Sequence, residues 1–457
     1  MSSSKLDLWV RGGKVATPEG LHPADLGVVD GRLVTLAPGT VQSAAETVDA
    51  TGLCVFPGIL DAHVHFNEPG REDWEGLASG PAALAAGGGT AFFDMPLNSL
   101  PPVIDAASFA RKRELAEEKS VLDFALWGGL VPGNLDRLGE LRDAGAIGLK
   151  AFMCGSGVDE FPGITDPATL RAGMKRAAAL GLLVAVHAED DAMARVLTEA
   201  QRERGATDVR SFLATRPVEV ELAAIRTATD LAGETGCRLH IVHVSSPEGV
   251  ALVAEARRRG VDVTAETCPH YLLLNEEDVV RLGAPAKCFP PFRSEARRQR
   301  LWTALDEGGV DTIGSDHSPA PPALKTSRDF FEIWGGISGC QHGFPLLLST
   351  AVARQPAEDA LPRLAALLAA NVADRFGLAA RKGRLVEGAD ADFALLDLRA
   401  DHILDNADLL YRHRQGPYHG RRCSVRVVRT VLRGRTIYAE GRIASGRPSG
   451  HFLEPPK

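Results

Sequence analysis

Pro57-Gly58-Ile59-Leu60-Asp61-Ala62-His63-Val64-His65 is an apolar run, set behind a Pro-Gly step, that ends in paired imidazoles. Side chains alternate between the two faces of a β-strand, so His63 and His65 point the same way. Packing gives no reason to place two imidazoles side by side at the end of a buried strand. Metal binding does, because neutral imidazole suits zinc and its neighbours.

Working outward, Gly58–His65 is the first of a series of strand-like runs. The others are Gly89–Met95, Asp123–Val131, Ala146–Phe152, Leu182–His187, Leu239–Val244, Val261–Glu266 and Asp311–Asp316. Helix-forming stretches lie between several of them, including Asp105–Lys119, Ala168–Leu180, Val218–Thr235 and Pro247–Arg259. A β/α alternation repeated eight times predicts an α/β fold, a (β/α)8 TIM-type barrel. An open doubly wound sheet is the other solution. It lacks its Gly-rich phosphate fingerprint here, since Gly87-Gly88-Gly89 precedes a strand rather than following one.

The two chain ends have a different texture. Leu6–Arg11, Asp25–Val29 and Arg32–Leu36 alternate like strands, with Asp30-Gly31 as a hairpin turn. Asp392–Asp397 and Val425–Leu432 repeat the pattern near the C-terminus, and Arg433-Gly434 precedes Arg435–Tyr438. Neither end has enough strands to bury a sheet face alone. The expectation is one small β-sandwich built from residues 1–56 and 382–457, with the barrel over 57–381. Leu361–Phe376 reads as an amphipathic helix capped by Gly377, and Lys382-Gly383-Arg384-Leu385 leads the chain back to strands.

Composition narrows the function classes. The 457 residues are 45% hydrophobic and 24% charged, with a net charge of −8 and no basic stripe, so nucleic acid is not an expected partner. Arg257-Arg258-Arg259 reads as a solvated helix end, and the basic segment Arg421–Arg435 alternates with Val and Leu as a strand does. No apolar run is long enough to span a bilayer, and Met1–Asp7 has no apolar leader core. Seven scattered cysteines argue for a reducing compartment, which makes the cytoplasm the expected location.

In a (β/α)8 barrel the active site lies at the C-terminal ends of the strands. His63, His65, Lys150, His187, His243 and Asp316 all fall at that rim. Each has a plainer role open to it. His187 ends a run buried on both faces, where an imidazole needs a partner. His240 and His243 are separated by an odd interval, so at most one is expected to face the interior; His243 is nearer the strand end, and His240 goes to packing. Asp316 could be a helix N-cap, and His317 should point to the opposite face. Lys150 lies in an apolar run where an ammonium is costly, so it is either paired with a carboxylate or converted by carbon dioxide to a carbamate. A carbamate is an anion with two oxygens and could bridge two metal ions. Two such ions lower the pKa of a shared water and polarise a carbonyl, and Asp316 is placed to pass the proton to a leaving nitrogen.

The motifs are similar to those of the cyclic amidases of the amidohydrolase superfamily, and within that group the chain most resembles the allantoinases. The resemblance covers nearly the whole chain. It rests on Pro57–Arg71, Asp94–Ser99, His243–Gly249, Glu266–Tyr271 and Ser315–Pro319, and on the order H-x-H, Lys, His, His, Asp. It implies that His63, His65 and Asp316 hold one divalent metal ion, that His187 and His243 hold a second, and that carbamylated Lys150 bridges them. Zinc is the expected metal, with cobalt, manganese and iron accepted by the same ligands. It further implies hydrolysis of allantoin to allantoate, with Asp316 as the catalytic acid and base, and a homotetramer. Substrate contacts are expected near Asn67, Asn98, Phe289 and Gly335.

Three features bear on the substrate. Dihydroorotases place an arginine where this chain has Asn67. Hydantoinases and dihydropyrimidinases tend to carry asparagine where it has Gly335, in Trp334-Gly335-Gly336. The family often has a small residue at the position of Phe289, which bears on pocket size. Hydantoinase, dihydropyrimidinase or dihydroorotase activity is the alternative within enzymes, and a scaffold that has lost its ligands is the alternative outside them.

Overall fold

A computed structural model describes residues 5–36, 43–444 and 448–455. Residues 1–4, 37–42, 445–447 and 456–457, which belong to the expected end segments, lie outside that description.

All eight expected barrel strands are present: β1 Ile59–Val64, β2 Gly89–Asp94, β3 Asp123–Leu126 continuing as Gly128–Gly129, β4 Leu149–Phe152, β5 Val184–His187, β6 Leu239–Ile241, β7 Val263–Thr267 and β8 Thr312–Ile313. Every neighbouring pair is parallel. Closure between β8 and β1 comes from the residues just after each strand, where the His65 N–H donates to the His317 carbonyl at 2.8 Å. The third strand is broken rather than continuous. Its first part pairs with β2 and its second with β4, and between them the Trp127 indole N–H donates across the barrel to the Ala62 carbonyl at 3.0 Å.

The strands are shorter than expected, and β6 and β8 each lose three residues at the C-terminal end. β8 keeps its ladder only over Thr312–Ile313, because the Ser315 N–H is taken by the Asp61 side chain at 2.9 Å. β6 stops at Ile241, two residues before His243 turns into the left-handed region at φ 41°.

The helices between strands cover the outside of the barrel. Ala106–Lys119 starts after Asp105, whose carboxylate accepts the Ser108 N–H at 2.8 Å, one residue later than expected. The expected helix Leu361–Phe376 is composite: α-helix Ala357–Ala365, a π turn over Ala366–Ala370, then Asn371–Arg375, ending at Gly377 with φ 74°. It delivers the Phe376 ring into the barrel interior against Phe93, Trp127 and His240. Arg257 is not a free solvated end: its Nε donates to the Val263 carbonyl at 2.8 Å and its guanidinium pairs with Asp311.

The chain ends meet in one mixed sheet. Phe393–Asp397, from the C-terminal part, pairs antiparallel with Cys54–Pro57, from the N-terminal part. The long strand Leu6–Thr17 belongs to two layers. Its first half runs parallel to Ala44–Asp49, its second half contacts Cys54–Val55, and the change occurs at a bulge where Gly12 takes φ +75°. Leu8, Val10, Val28, Val55, Phe393 and Val431 fill the space between the layers. Asp30-Gly31 and Arg433-Gly434 both have paired positive φ (51° and 76°, 45° and 73°), the tight hairpin geometry. Residues 448–455 leave this sheet. They run beside β3, where Phe124 donates to the His451 carbonyl and accepts the Leu453 N–H at 2.7 Å, supplying partners that a bare strand edge would lack.

Candidate active site

His63 and His65 reach the same side by a route that simple alternation does not describe. Asp61 pairs with Phe92, but Val64, not His63, pairs with Asp94, so β1 carries one extra residue. Leu60 and Ala62 face the interior cluster and Val64 the outer layer. The bulge lets His63 follow Ala62 inward, and His65 alternates back in beyond Val64. Both Nε2 atoms then lie 3.3 Å from Asp316 Oδ1. Asp316 joins them through a left-handed turn at φ 46°.

On the neighbouring strands, His187 Nδ1 and His243 Nε2 face each other at 3.0 Å. The His63 and His243 rings are 5.4 Å apart between centroids, which links the two groups. Lys150, on β4, is fully buried, and its Nζ has no hydrogen-bond partner among the described residues. It lies 5.0 Å from the Phe152 ring centroid. The six expected residues therefore converge, and all are buried.

The protonation states suit cation binding. Burial pushes His65 down to about 4 and His243 well below the ordinary imidazole value, the latter helped by His187 and Lys150. Burial also lowers His187. A downward shift favours the neutral ring, the form that carries a lone pair. Burial alone would raise Asp316, but His63, His65 and His243 hold it well below the usual carboxylate range. Burial lowers Lys150 to about 8, against the pull of Asp316 and Glu266.

Two carboxylates that the sequence analysis did not single out orient the rings. His63 donates from Nδ1 to Glu266 Oε1 at 2.7 Å, which leaves Nε2 free to face Asp316. His187 donates from Nε2 to Glu189 Oε2 at 2.9 Å, which leaves Nδ1 free to face His243. Such a proton placement aims a lone pair at a cation. Burial alone would raise Glu266, but His63 and His240 bring it down to about 2. Both acids carried a signal: Glu266 lies near the end of β7 at the functional rim, and Glu189 stands two residues past His187.

His240 and His243 both belong to the interior, contrary to the alternation argument. His240 sits deeper, with Nδ1 2.7 Å from Thr264 Oγ1 and Nε2 3.5 Å from Glu266 Oε2. The left-handed turn at His243 cancels the odd spacing. His317 does point away, accepting the Gly339 N–H on Nδ1 at 3.0 Å.

A cavity of about 260 Å³ opens over these residues, below the range of about 300–1,000 Å³ typical of drug-sized ligands. Asn98, Phe289 and Gly335 line it as expected. Asn67 does not: it takes φ 66° and its Nδ2 donates to the Pro319 carbonyl at 3.3 Å, which turns the amide into the rim wall. Phe289 and Gly335 fit together, since a Cβ on Gly335 would stand 2.4 Å from the Phe289 ring. Glu189, Arg216 and Cys154 also line the cavity.

The donor set fits divalent metal ions. The ligand atoms of His63, His65 and Asp316 lie within 4.8 Å of one another, and so do those of Cys154, His187 and Glu189. Lys150 Nζ is a buried amine with nothing to donate to, an arrangement that a fixed ammonium would make costly.

Residues 54–437 match the amidohydrolase family model. A protein named allantoinase from Deinococcus radiodurans is 52% identical over 98% of this chain and 99% of its own length. Another allantoinase, from Rubrobacter xylanophilus, is also 52% identical, over 99% and 98%. Among solved structures, an L-hydantoinase (dihydropyrimidinase) from Arthrobacter aurescens superposes with a TM-score of 0.94 at 32% identity, covering 98% of this chain and all of that one.

Proposed function

The chain belongs to the amidohydrolase family, and on that premise we propose that it hydrolyses the cyclic amide of allantoin to allantoate. The observation that carries this reading is the convergence of buried imidazoles on Asp316 beside a buried Lys150 amine that has no hydrogen-bond partner among the described residues.

His63, His65 and Asp316 would hold one divalent ion, and His187 and His243 a second. Lys150 would serve both after its neutral amine adds carbon dioxide, forming an N–C bond and releasing one proton. Zinc suits the imidazole-rich set best, and cobalt, manganese and iron are accepted alternatives. When bound, the ions supply an activated hydroxide at neutral pH and polarise the amide carbonyl.

The chain's own residues do the rest. Glu266 and Glu189 keep His63 and His187 in the tautomers that face the centre. Asp316, ionised in this setting, takes the proton from the attacking water and returns it to the ring nitrogen as the C–N bond breaks. Asn98, Phe289 and Gly335 shape the small cavity that receives the ring.

In the proposed organisation residues 57–381 carry every one of these groups, and 1–56 with 382–457 make up the second unit, which holds the mixed sheet. The same proposal makes the protein a cytoplasmic homotetramer; the seven cysteines, all free, suit a reducing compartment. Among the described residues no helix is long and apolar enough to cross a membrane.

Turnover of allantoin, hydantoin, dihydrouracil and dihydroorotate by purified protein with defined divalent ions is the test. Allantoin is expected to be opened fastest. Protein that opens dihydroorotate or dihydrouracil but not allantoin would overturn the proposal.

A further inference from the structure

Arg216 stands just before the helix Val218–Thr235 and reaches the cavity wall beside His187. Its own carbonyl is held by Arg293 Nη1 at 2.5 Å. All its side-chain hydrogen bonds go through Nη1, to Thr198 Oγ1 at 3.3 Å and to the Thr215 carbonyl and hydroxyl at 3.4 and 3.3 Å. One face of the guanidinium lies 5.2 Å from the Phe289 ring centroid. The Nε–Nη2 edge, the edge that binds planar groups through two parallel hydrogen bonds, is left over.

Opposite that edge is Glu189. Its Oε2 is taken by His187, but Oε1 is buried with no hydrogen-bond partner, and Arg216 Nε is in the same condition. The two atoms are 3.7 Å apart, an ion-pair distance but too far for a hydrogen bond between them. Both residues line one cavity, and among the described residues this donor and this acceptor have no hydrogen-bond partner, so their hydrogen-bonding capacity is available to a ligand there.

The pair also selects the ligand's chemistry. A carboxylate would suit Arg216 but be repelled by the carboxylate of Glu189 beside it. A cation would suit Glu189 and be repelled by Arg216. A neutral planar group with a carbonyl oxygen and an N–H answers both.

We propose that Arg216 and Glu189 form a ureido subsite: the substrate's exocyclic ureido carbonyl accepts from the Nε–Nη2 edge of Arg216, and its N–H donates to Glu189 Oε1. The Phe289 ring backs the guanidinium and closes that end of the cavity. The subsite rests on the proposal that allantoin is the substrate, since it is the ureido arm that distinguishes allantoin from simpler hydantoins. Arg216 is a specificity residue in this scheme. Glu189 is not a clean test of it, because it also orients His187.

The experiment compares kcat/KM for allantoin and for 5-methylhydantoin in metal-loaded wild type, Arg216→Met and Arg216→Lys, with bound divalent ions counted in each. Where 5-methylhydantoin turns over too slowly, its competitive inhibition constant reads the same interaction. Wild type is expected to prefer allantoin. In both variants the allantoin-to-5-methylhydantoin ratio should fall about 10- to 100-fold, mainly through KM, with metal content unchanged. The lysine variant keeps the charge and stem but lacks the two-pronged edge, so it answers the question should the methionine variant not fold. A ratio unchanged in the variants, with wild type still opening allantoin, would overturn the subsite alone. Wild type that opens 5-methylhydantoin but not allantoin would overturn the substrate proposal and the subsite with it.

Discussion

Two buried lysines in this molecule meet opposite fates. Lys382 Nζ lies 2.6 Å from Asp123, 2.6 Å from Asp392 and 2.9 Å from Asp390. Lys150 is as deeply buried and its Nζ touches no acceptor. Burial alone would lower Lys382, but the three carboxylates override it and hold the lysine above its ordinary value; burial brings Lys150 down to about 8. Asp123 begins β3 while Asp390 and Asp392 lead into Phe393–Asp397, so the satisfied lysine joins barrel to sheet. The unsatisfied one faces the imidazoles. A buried charge fully met by partners serves the fold, and one left unmet is free for chemistry.

Substitution should separate the two most sharply in turnover. Lys150→Ala is expected to lose on the order of 1,000-fold or more in kcat and to bind fewer divalent ions, as removal of several kcal/mol of transition-state stabilisation requires. Its folding should be nearly intact, because no partner is stranded. Steady-state kinetics and elemental analysis read the first part and denaturant unfolding the second. Lys382→Met reverses the pattern: unfolding should show a loss of about 3–5 kcal/mol from the abandoned carboxylates, with kcat of the folded protein near wild type. Equal effects of the two substitutions on stability would erase the distinction.

Smaller changes sharpen it. Glu266→Gln keeps the shape but weakens the grip on His63, and divalent affinity should fall about 10- to 100-fold in a metal titration. The pH dependence of Lys382 follows from its raised value. A lysine raised on folding contributes fully below its unfolded value, near 10.5, and loses that contribution only as pH rises through the folded value above it. The stability gap between wild type and Lys382→Met should therefore stay level from about pH 7 to 10 and narrow only at higher pH. A gap that closed below pH 9 would contradict the raised value.

Much of the fold was legible because it is written locally. Apolar periodicity located all eight barrel strands, and Asp30-Gly31 announced its hairpin through turn chemistry. The six rim residues followed from strand-end position. What escaped depends on distant partners. The extra residue in β1 and the left-handed turns at His243 and Asp316 are conformations set by tertiary contact, and they break the alternation that placed His240 and His243 on opposite faces. The same kind of turn at Asn67 sends its amide to Pro319 and out of the cavity. Glu189 and Glu266 carried only a positional signal; their role as orienting partners exists once His187 and His63 are beside them. The extension of residues 448–455 along β3 depends on an edge more than 300 positions away in the chain, as the Ser449–Val121 hydrogen bond, 328 residues apart, illustrates.

The most direct measurement is the number of divalent ions per subunit in wild type and Lys150→Ala, read alongside allantoin turnover on the same samples. Two ions with turnover in wild type, and fewer ions with turnover abolished in the variant, are predicted. A single ion in wild type, with undiminished turnover in Lys150→Ala, would contradict it.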